Sequence, residues 1–286
     1  MTIAHVMILA LSGFAAGMVG ALFGLGGGIL IIPILVLLLK VPMHNAIATS
    51  LICVIATSSA AASRNVSTGT ANVRLGMTLE VCTVVGAMLG GLLAGILHAR
   101  TLMTLFGAAM LLMVVPMARG VDAEEGTGGE LIPAGGEPEP ERGFSRKLDG
   151  EYFDGASGSF VRYSVRRLPV AFGISSLAGV LSGLLGVGGG ILKVPVLVTY
   201  CGIPMKAAAA TSNFMIGVTA VASAFVFYGR GDVLPFLTGA TAAGVFLGSR
   251  SGTSLSGRLQ SGRLRKAFAM IMVITAAQML WKAWRG

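Results

Sequence analysis

Acidic residues are what this chain has least of: 12 Asp and Glu in 286 residues, with charged residues of both signs at only 12%. A soluble domain carries roughly a quarter charged residues, so water is not the main solvent here. Ten of the acids (Asp122, Glu124, Glu125, Glu130, Glu137, Glu139, Glu141, Asp149, Glu151, Asp154) fall between residues 119 and 167, which leaves Glu80 and Asp232 for all the rest. Cation transport through membrane segments calls on several carboxylates, and this scarcity argues against it. Cysteine is sparse too. Cys53, Cys82 and Cys201 lie singly in apolar segments, without the paired spacing of a disulfide framework or a metal site, and read as small packing residues. No nucleophile and base stand in register, so the sequence predicts neither an enzyme nor a cofactor.

What fills the chain instead is apolar sequence. It is 54% hydrophobic with a mean hydropathy of +0.83. Runs with few charges recur at 3–23, 46–63, 75–97, 102–118, 168–185, 207–228, 233–249 and 267–281. Most reach the roughly 17 to 25 residues that cross a hydrocarbon core. Two shorter runs, 29–39 and 191–200, cover only about half of a roughly 30 Å slab. The first run lacks a basic leader and continues straight into the pattern described next, so it is read as mature protein rather than as a signal peptide. The net charge of +9 sits at segment edges, as on a membrane protein, and does not predict a nucleic-acid partner.

The chain repeats itself. At an offset of 162, Leu22–Ser50 aligns without gaps on Leu184–Ser212, with sixteen identities in twenty-nine positions. Beyond Gly69/Gly231 the register is expected to slip, resuming as Gly86/Gly244 and Gly90/Gly248 before Phe106/Phe268 restores it. The reading is two membrane repeats, 1–118 and 166–286, around a polar linker at 119–165. If the repeats are inverted, basic residues divide 15 against 5 between the two faces; parallel repeats divide them 12 against 8. Because cytoplasmic loops are basic, the first count is the better fit, with the linker cytoplasmic and both termini outside. The expected fold is all-α and polytopic: inverted repeats with glycine-broken or re-entrant helices, about 8 to 10 membrane segments, and a small cytoplasmic β-hairpin from 151–154 and 159–165. Residues 122–142, rich in Gly, Glu and Pro, read as solvated and partly disordered.

Gly24-Leu-Gly-Gly-Gly28 and Gly186-Val-Gly-Gly-Gly190 each precede a short apolar run containing Pro33 or Pro195. Three glycines break a helix cheaply. Within a bilayer an unwound stretch must face protein or a wet cavity. A helix restarting there offers free N–H groups and the positive end of its dipole, an anion site without a charged side chain. Close helix packing is the alternative reading of the same glycines. Thr49-Ser50 and Thr211-Ser212-Asn213 recur near the start of the following helix and offer hydroxyls and an amide to an oxyanion, or else cap helices and bond back to the preceding turn. Lys193 is the one basic residue inside an apolar run; an intramembrane charge points to function unless it snorkels. Glu80 reads either as a proton-coupling carboxylate or as an edge residue near Arg74. Arg64-Asn65 reads as a loop anchor, and His44 and His98 as interfacial.

The paired glycine motifs with their prolines, and Ala-Thr-Ser-Asn-Phe-Met-Ile-Gly-Val-Thr at 210–219, resemble the TauE/SafE family of sulfite exporters and organosulfonate permeases over essentially the whole chain. The resemblance implies a secondary transporter in the cell membrane, of the plasma or inner type, that exports a small sulfur anion such as sulfite, thiosulfate or an organosulfonate. It places substrate contacts at Gly26, Gly27, Gly28, Thr49, Ser50, Gly188, Gly189, Gly190, Thr211, Ser212 and Asn213, to which the charge argument adds Lys193. Asn213 faces Leu51 in the repeat, so the site is expected to be asymmetric. The expected partners are the anion, the lipid bilayer and a coupling proton or sodium ion. A passive anion channel and a membrane scaffold subunit stand as alternatives.

Overall fold

A computed structural model describes residues 3–22, 28–118, 129–132, 148–154, 158–259 and 262–285. Among the described residues, the regular structure outside the linker is helical. In order it forms α1 (Ile3–Leu22), α2 (Gly28–Pro33) running into a π-helical turn (Ile34–Leu38), α3 (Met43–Ser67), α4 (Val73–Ile96) and α5 (Ala99–Ala118). Three strands follow: β1 (Gly129–Ile132), β2 (Gly150–Asp154) and β3 (Ser159–Tyr163). Then come α6 (Leu168–Leu185), α7 (Gly190–Thr199), α8 (Met205–Gly229), α9 (Pro235–Leu259) and α10 (Gly262–Arg285). By length and composition, α3, α4, α6 and α8 can each cross a membrane, and 7–21, 28–38 and 99–114 are shorter apolar helical stretches. The protein is an all-α polytopic membrane protein.

The five helices of the first half recur in the second. α3 and α8 begin and end at positions 162 apart, and each starts after a proline, Pro42 or Pro204, in the same extended conformation. The register does not slip as the sequence suggested. On α4, Gly86 abuts the Ser176 carbonyl and Gly90 that of Val180; on α9, Gly248 abuts Phe14 and Gly252 abuts Met18. These partners are again 162 apart, so Gly86 matches Gly248 and Gly90 matches Gly252. Glycines four residues apart at 244, 248 and 252 let the sequence align one turn out.

Helix directions follow from the contacts. Gly76 meets Phe214 and Met215, while Gly91 meets Val226 and accepts a hydrogen bond from Arg230, so α4 and α8 run parallel. His44, on the first turn of α3, bonds the Ala94 carbonyl near the end of α4 at 3.0 Å, so α3 and α4 run antiparallel. Therefore α3 and its twin α8 point in opposite directions, and the repeats are inverted. They also interlock: α1 packs on α9, α6 on α4, and α3 crosses α8. α5 packs on α10.

The linker holds more order than its composition suggests. The expected hairpin is present as β2 and β3, and β1, from the stretch read as disordered, joins the other edge to give the order β1-β3-β2. Leu131 and Ile132 are the apolar pair within that acidic stretch, and they pair in register with Val161 and Phe160. The remainder, 119–128 and 133–147, lies outside the described residues. Tyr152, Val161, Tyr163 and Val165 bury against Leu75, Leu79, Leu197, Ile203 and Met215. The sheet thus covers the end of the bundle where α4, α6 and α8 begin.

Candidate functional site

The second glycine run is unwound as expected. Gly186, Gly188 and Gly189 have φ of 68°, 84° and 66°, values that cost an L-residue roughly 1 to 2 kcal/mol. α7 then restarts at Gly190 with no side chain capping its N-terminus. The Arg166 amide donates to the Cys201 carbonyl at 3.1 Å, which ties the start of α6 to the end of α7. The two helices therefore form a re-entrant hairpin rooted at the linker face. Ten residues of α7 rise about 15 Å, which sets its N-terminus near mid-bundle.

Both repeats meet at this point. Ser50 donates to the Gly186 carbonyl at 2.8 Å and to the Gly28 carbonyl at 3.2 Å, so one hydroxyl of α3 joins the glycine motifs of the two halves. A Cβ at Gly28 would lie 2.7 Å from Val54 Cγ2 and 3.0 Å from the Gly186 oxygen. Among the described residues, Gly28 is closely packed, and the second run both breaks its helix and packs closely. Gly26 and Gly27 lie outside the described residues.

Ser212, the twin of Ser50, is different. It is fully buried beside α7, where a Cβ on Gly190 would lie 3.2 Å from its Oγ, yet among the described residues its hydroxyl has no partner. Ser182, near the end of α6, packs against Gly189 and is likewise buried without a partner. An orphaned buried hydroxyl costs about 1 to 3 kcal/mol, so two at one uncapped helix N-terminus call for a ligand. Sequence reasoning missed Ser182 because its counterpart in the repeat is Gly20.

Other predicted residues are engaged elsewhere. Thr49 bonds Thr238 Oγ1 at 3.1 Å. Thr211 accepts the Asn72 amide at 2.9 Å, supporting the residue that caps α4 through Leu75. Lys193 is buried on the first turn of α7 and donates to Thr219 Oγ1 at 3.0 Å and to Glu80 Oε2 at 3.5 Å. Glu80 is thus not an edge residue near Arg74: it lies 3% exposed within the bundle and also accepts a hydrogen bond from Thr219. Its pairing across 113 positions was invisible in the sequence.

Asn213 faces a separate space. A cavity of about 630 Å³ at the linker face is lined by Arg64, Asn65, Thr68 and Thr70 from the end of α3 and its loop, by Lys206, Ala209, Ala210 and Asn213 from the first turns of α8, and by Phe153 of β2. Arg64 and Asn65, read from sequence as a loop anchor, are part of its wall. Its charged lining residues, Arg64 and Lys206, are both cations, and field lines from like charges on low-dielectric walls draw in anions. Residue 213 lines this vestibule, and residue 212 reaches the glycine run.

Comparison with known proteins gives the family. The sequence matches the family described as Sulfite exporter TauE/SafE over residues 9–279. The chain is 25% identical to the probable membrane transporter protein YunE of Bacillus subtilis over 96% of its length and 97% of the relative's. It is 26% identical to a probable membrane transporter protein of Haemophilus influenzae, covering 97% and 98% of the two chains. A Xylella fastidiosa probable membrane transporter protein is 25% identical, over 99% and 98%. No solved structure matches.

Proposed function

Since the chain belongs to the sulfite exporter TauE/SafE family, and is a membrane transporter, we propose that it is a secondary transporter exporting a small sulfur-containing anion such as sulfite, thiosulfate or an organosulfonate. The observation that carries this reading is the pair of unpartnered buried hydroxyls, Ser182 and Ser212, at the uncapped N-terminus of α7. An oxyanion there receives backbone N–H groups at Gly188, Gly189 and Gly190 and the positive end of the helix dipole, worth up to about 2 kcal/mol in partly buried geometries. The two serines donate to its remaining oxygens. Gly28 approaches from the other repeat, and Ser50 holds it to Gly186; Gly26 and Gly27 complete the proposed site.

Thr49 and Thr211 act as supports of the neighbouring helices, and Lys193 supplies positive charge behind the site. Arg64, Lys206 and Asn213 form the vestibule through which the anion meets it. The basic linker face is cytoplasmic by the positive-inside rule, with both termini outside. The units are a first membrane repeat (1–118), the linker (119–165) and a second repeat (166–286). Because Gly28 and Gly186 touch, passage requires the repeats to part at the α3–α8 crossing, as in rocking transporters built on inverted repeats.

The test is counterflow of labelled thiosulfate and sulfite in reconstituted vesicles. Saturable uptake stimulated by unlabelled anion on the far side is the expected result. Linear uptake without stimulation would favour a passive channel, and none at all a scaffold.

A further inference from the structure

The Glu80, Lys193 and Thr219 cluster is not explained by holding an anion, since the lysine already has a carboxylate. The three residues come from α4, α7 and α8, with Lys193 at 1% and Glu80 at 3% exposure. Burying such a pair gives up hydration that its mutual attraction recovers only in part, and apolar residues of similar volume are often as good or better for stability. The protein itself makes that comparison. At the offset of 162, Lys193, Thr219 and Glu80 correspond to Ile31, Thr57 and Ala242. Ile31 and Thr57 are buried, and Ile31 and Ala242 belong to the same apolar cluster. One half builds this junction without charge, so the fold does not require the pair.

The geometry points to a proton-coupling site: Glu80 takes up a proton as the anion binds, freeing Lys193 to face the anion, and the two cross together. This rests on the anion-transport reading above. In the anion-free condition Glu80 and Lys193 neutralise each other. When an anion arrives at the N-terminus of α7, one turn from Lys193, it competes with Glu80 for the ammonium group. A proton from the bulk water then forms an O–H bond on the Glu80 carboxylate while Lys193 stays protonated, so the cluster passes from neutral to a single positive charge that offsets one negative charge of the anion. By linkage, whatever an added proton does for anion affinity, the anion does for proton affinity.

Few other groups bear on Glu80. α6 carries no titratable residue between 168 and 185. α3 carries His44, Cys53 and Arg64, and α8 carries Lys206 and Tyr228, with Arg230 just beyond its end. On α4 itself, Arg74 is exposed and Cys82 half-buried; on α7, Lys193 is the only charged residue. The charged group within bonding distance of Glu80 is Lys193.

The experiment uses the whole protein in vesicles holding a pH-sensitive dye, with thiosulfate as the probe because it carries no proton of its own at neutral pH. Wild type should acidify the lumen as thiosulfate enters, and its apparent affinity should rise about tenfold from the alkaline to the acidic end of the neutral range, within the usual span of coupled sites. Glu80→Gln should keep thiosulfate counterflow while losing the acidification and flattening the pH profile. If that variant leaves Lys193 stranded and unfolds, Glu80→Gln/Lys193→Gln removes both charges, as in the other half, and should fold without moving protons. Wild-type thiosulfate flux with no acidification overturns the coupling. So does a Glu80→Gln protein that still acidifies. Absence of saturable thiosulfate flux in wild type would instead remove the transport reading itself.

Discussion

Two serines 162 residues apart, with the same helical position, have opposite situations, and the contrast is open to measurement. Ser50 makes hydrogen bonds to Gly28 and Gly186. Ser50→Ala should therefore destabilise the protein by about 1 kcal/mol, read as a lowered Tm in detergent. Ser212 has no described partner, so Ser212→Ala should leave Tm unchanged or raise it. The sequence marked both serines through the repeat, and it marked the glycines through their run. It could not tell the bonded hydroxyl from the free one, because that depends on which carbonyl the other half brings up. Ser182 and the Glu80 to Lys193 pairing were illegible for the same reason: neither has a counterpart in the repeat, and each becomes meaningful only when distant helices touch. At Gly188, where φ is 84° and a Cβ would lie 2.7 Å from Ile216 Cγ2, Gly188→Ala should cost at least about 1 to 2 kcal/mol, with Tm again the readout.

Helix contacts here are made by glycine stripes. Gly13 and Gly17 of α1 lie against the Thr241 and Val245 carbonyls of α9, and Gly244 and Gly248 of α9 against those of Ala10 and Phe14; Gly179 and Gly183 of α6 lie against the Thr83 and Ala87 carbonyls of α4, and Gly86 and Gly90 of α4 against those of Ser176 and Val180. Small residues let helices approach closely where lipid offers no hydrophobic drive for association. Gly248→Val should push α9 off Phe14 and sharply reduce folded yield by size-exclusion chromatography. Gly239, on the same helix with nothing within 4 Å, is the control: Gly239→Ala should be neutral or stabilise by about 0.5 to 1 kcal/mol. These stripes also explain the register error. A repeat of four along one helix matches itself when shifted by a turn, and only the partner carbonyls resolve the choice. The helices themselves were legible, since apolar runs of membrane length permit little else.

At the scale of the whole molecule, inversion brings Gly28 of the first repeat against the α6–α7 hairpin of the second beside the α3–α8 crossing. The charge count over loops anticipated that arrangement, because basic residues sort by side. It could not anticipate the third strand, where a brief apolar pair is rescued from an acidic stretch by pairing with β3. If the linker face is cytoplasmic, a cysteine at Phe153, which is 51% exposed, should react with an impermeant maleimide only in inverted membrane vesicles. One at Trp284, 81% exposed, should react in whole cells. The central claim is that an anion is held inside the bundle by bare amides and the free serine hydroxyls. Its most direct test is thiosulfate counterflow by Ser212→Ala beside wild type at matched amounts of folded protein. A hydrogen bond to a charged ligand is worth about 1.5 to 3 kcal/mol, so KM should rise by roughly ten- to a hundredfold, with Tm not lowered. An unchanged KM in both Ser212→Ala and Ser182→Ala would contradict the account.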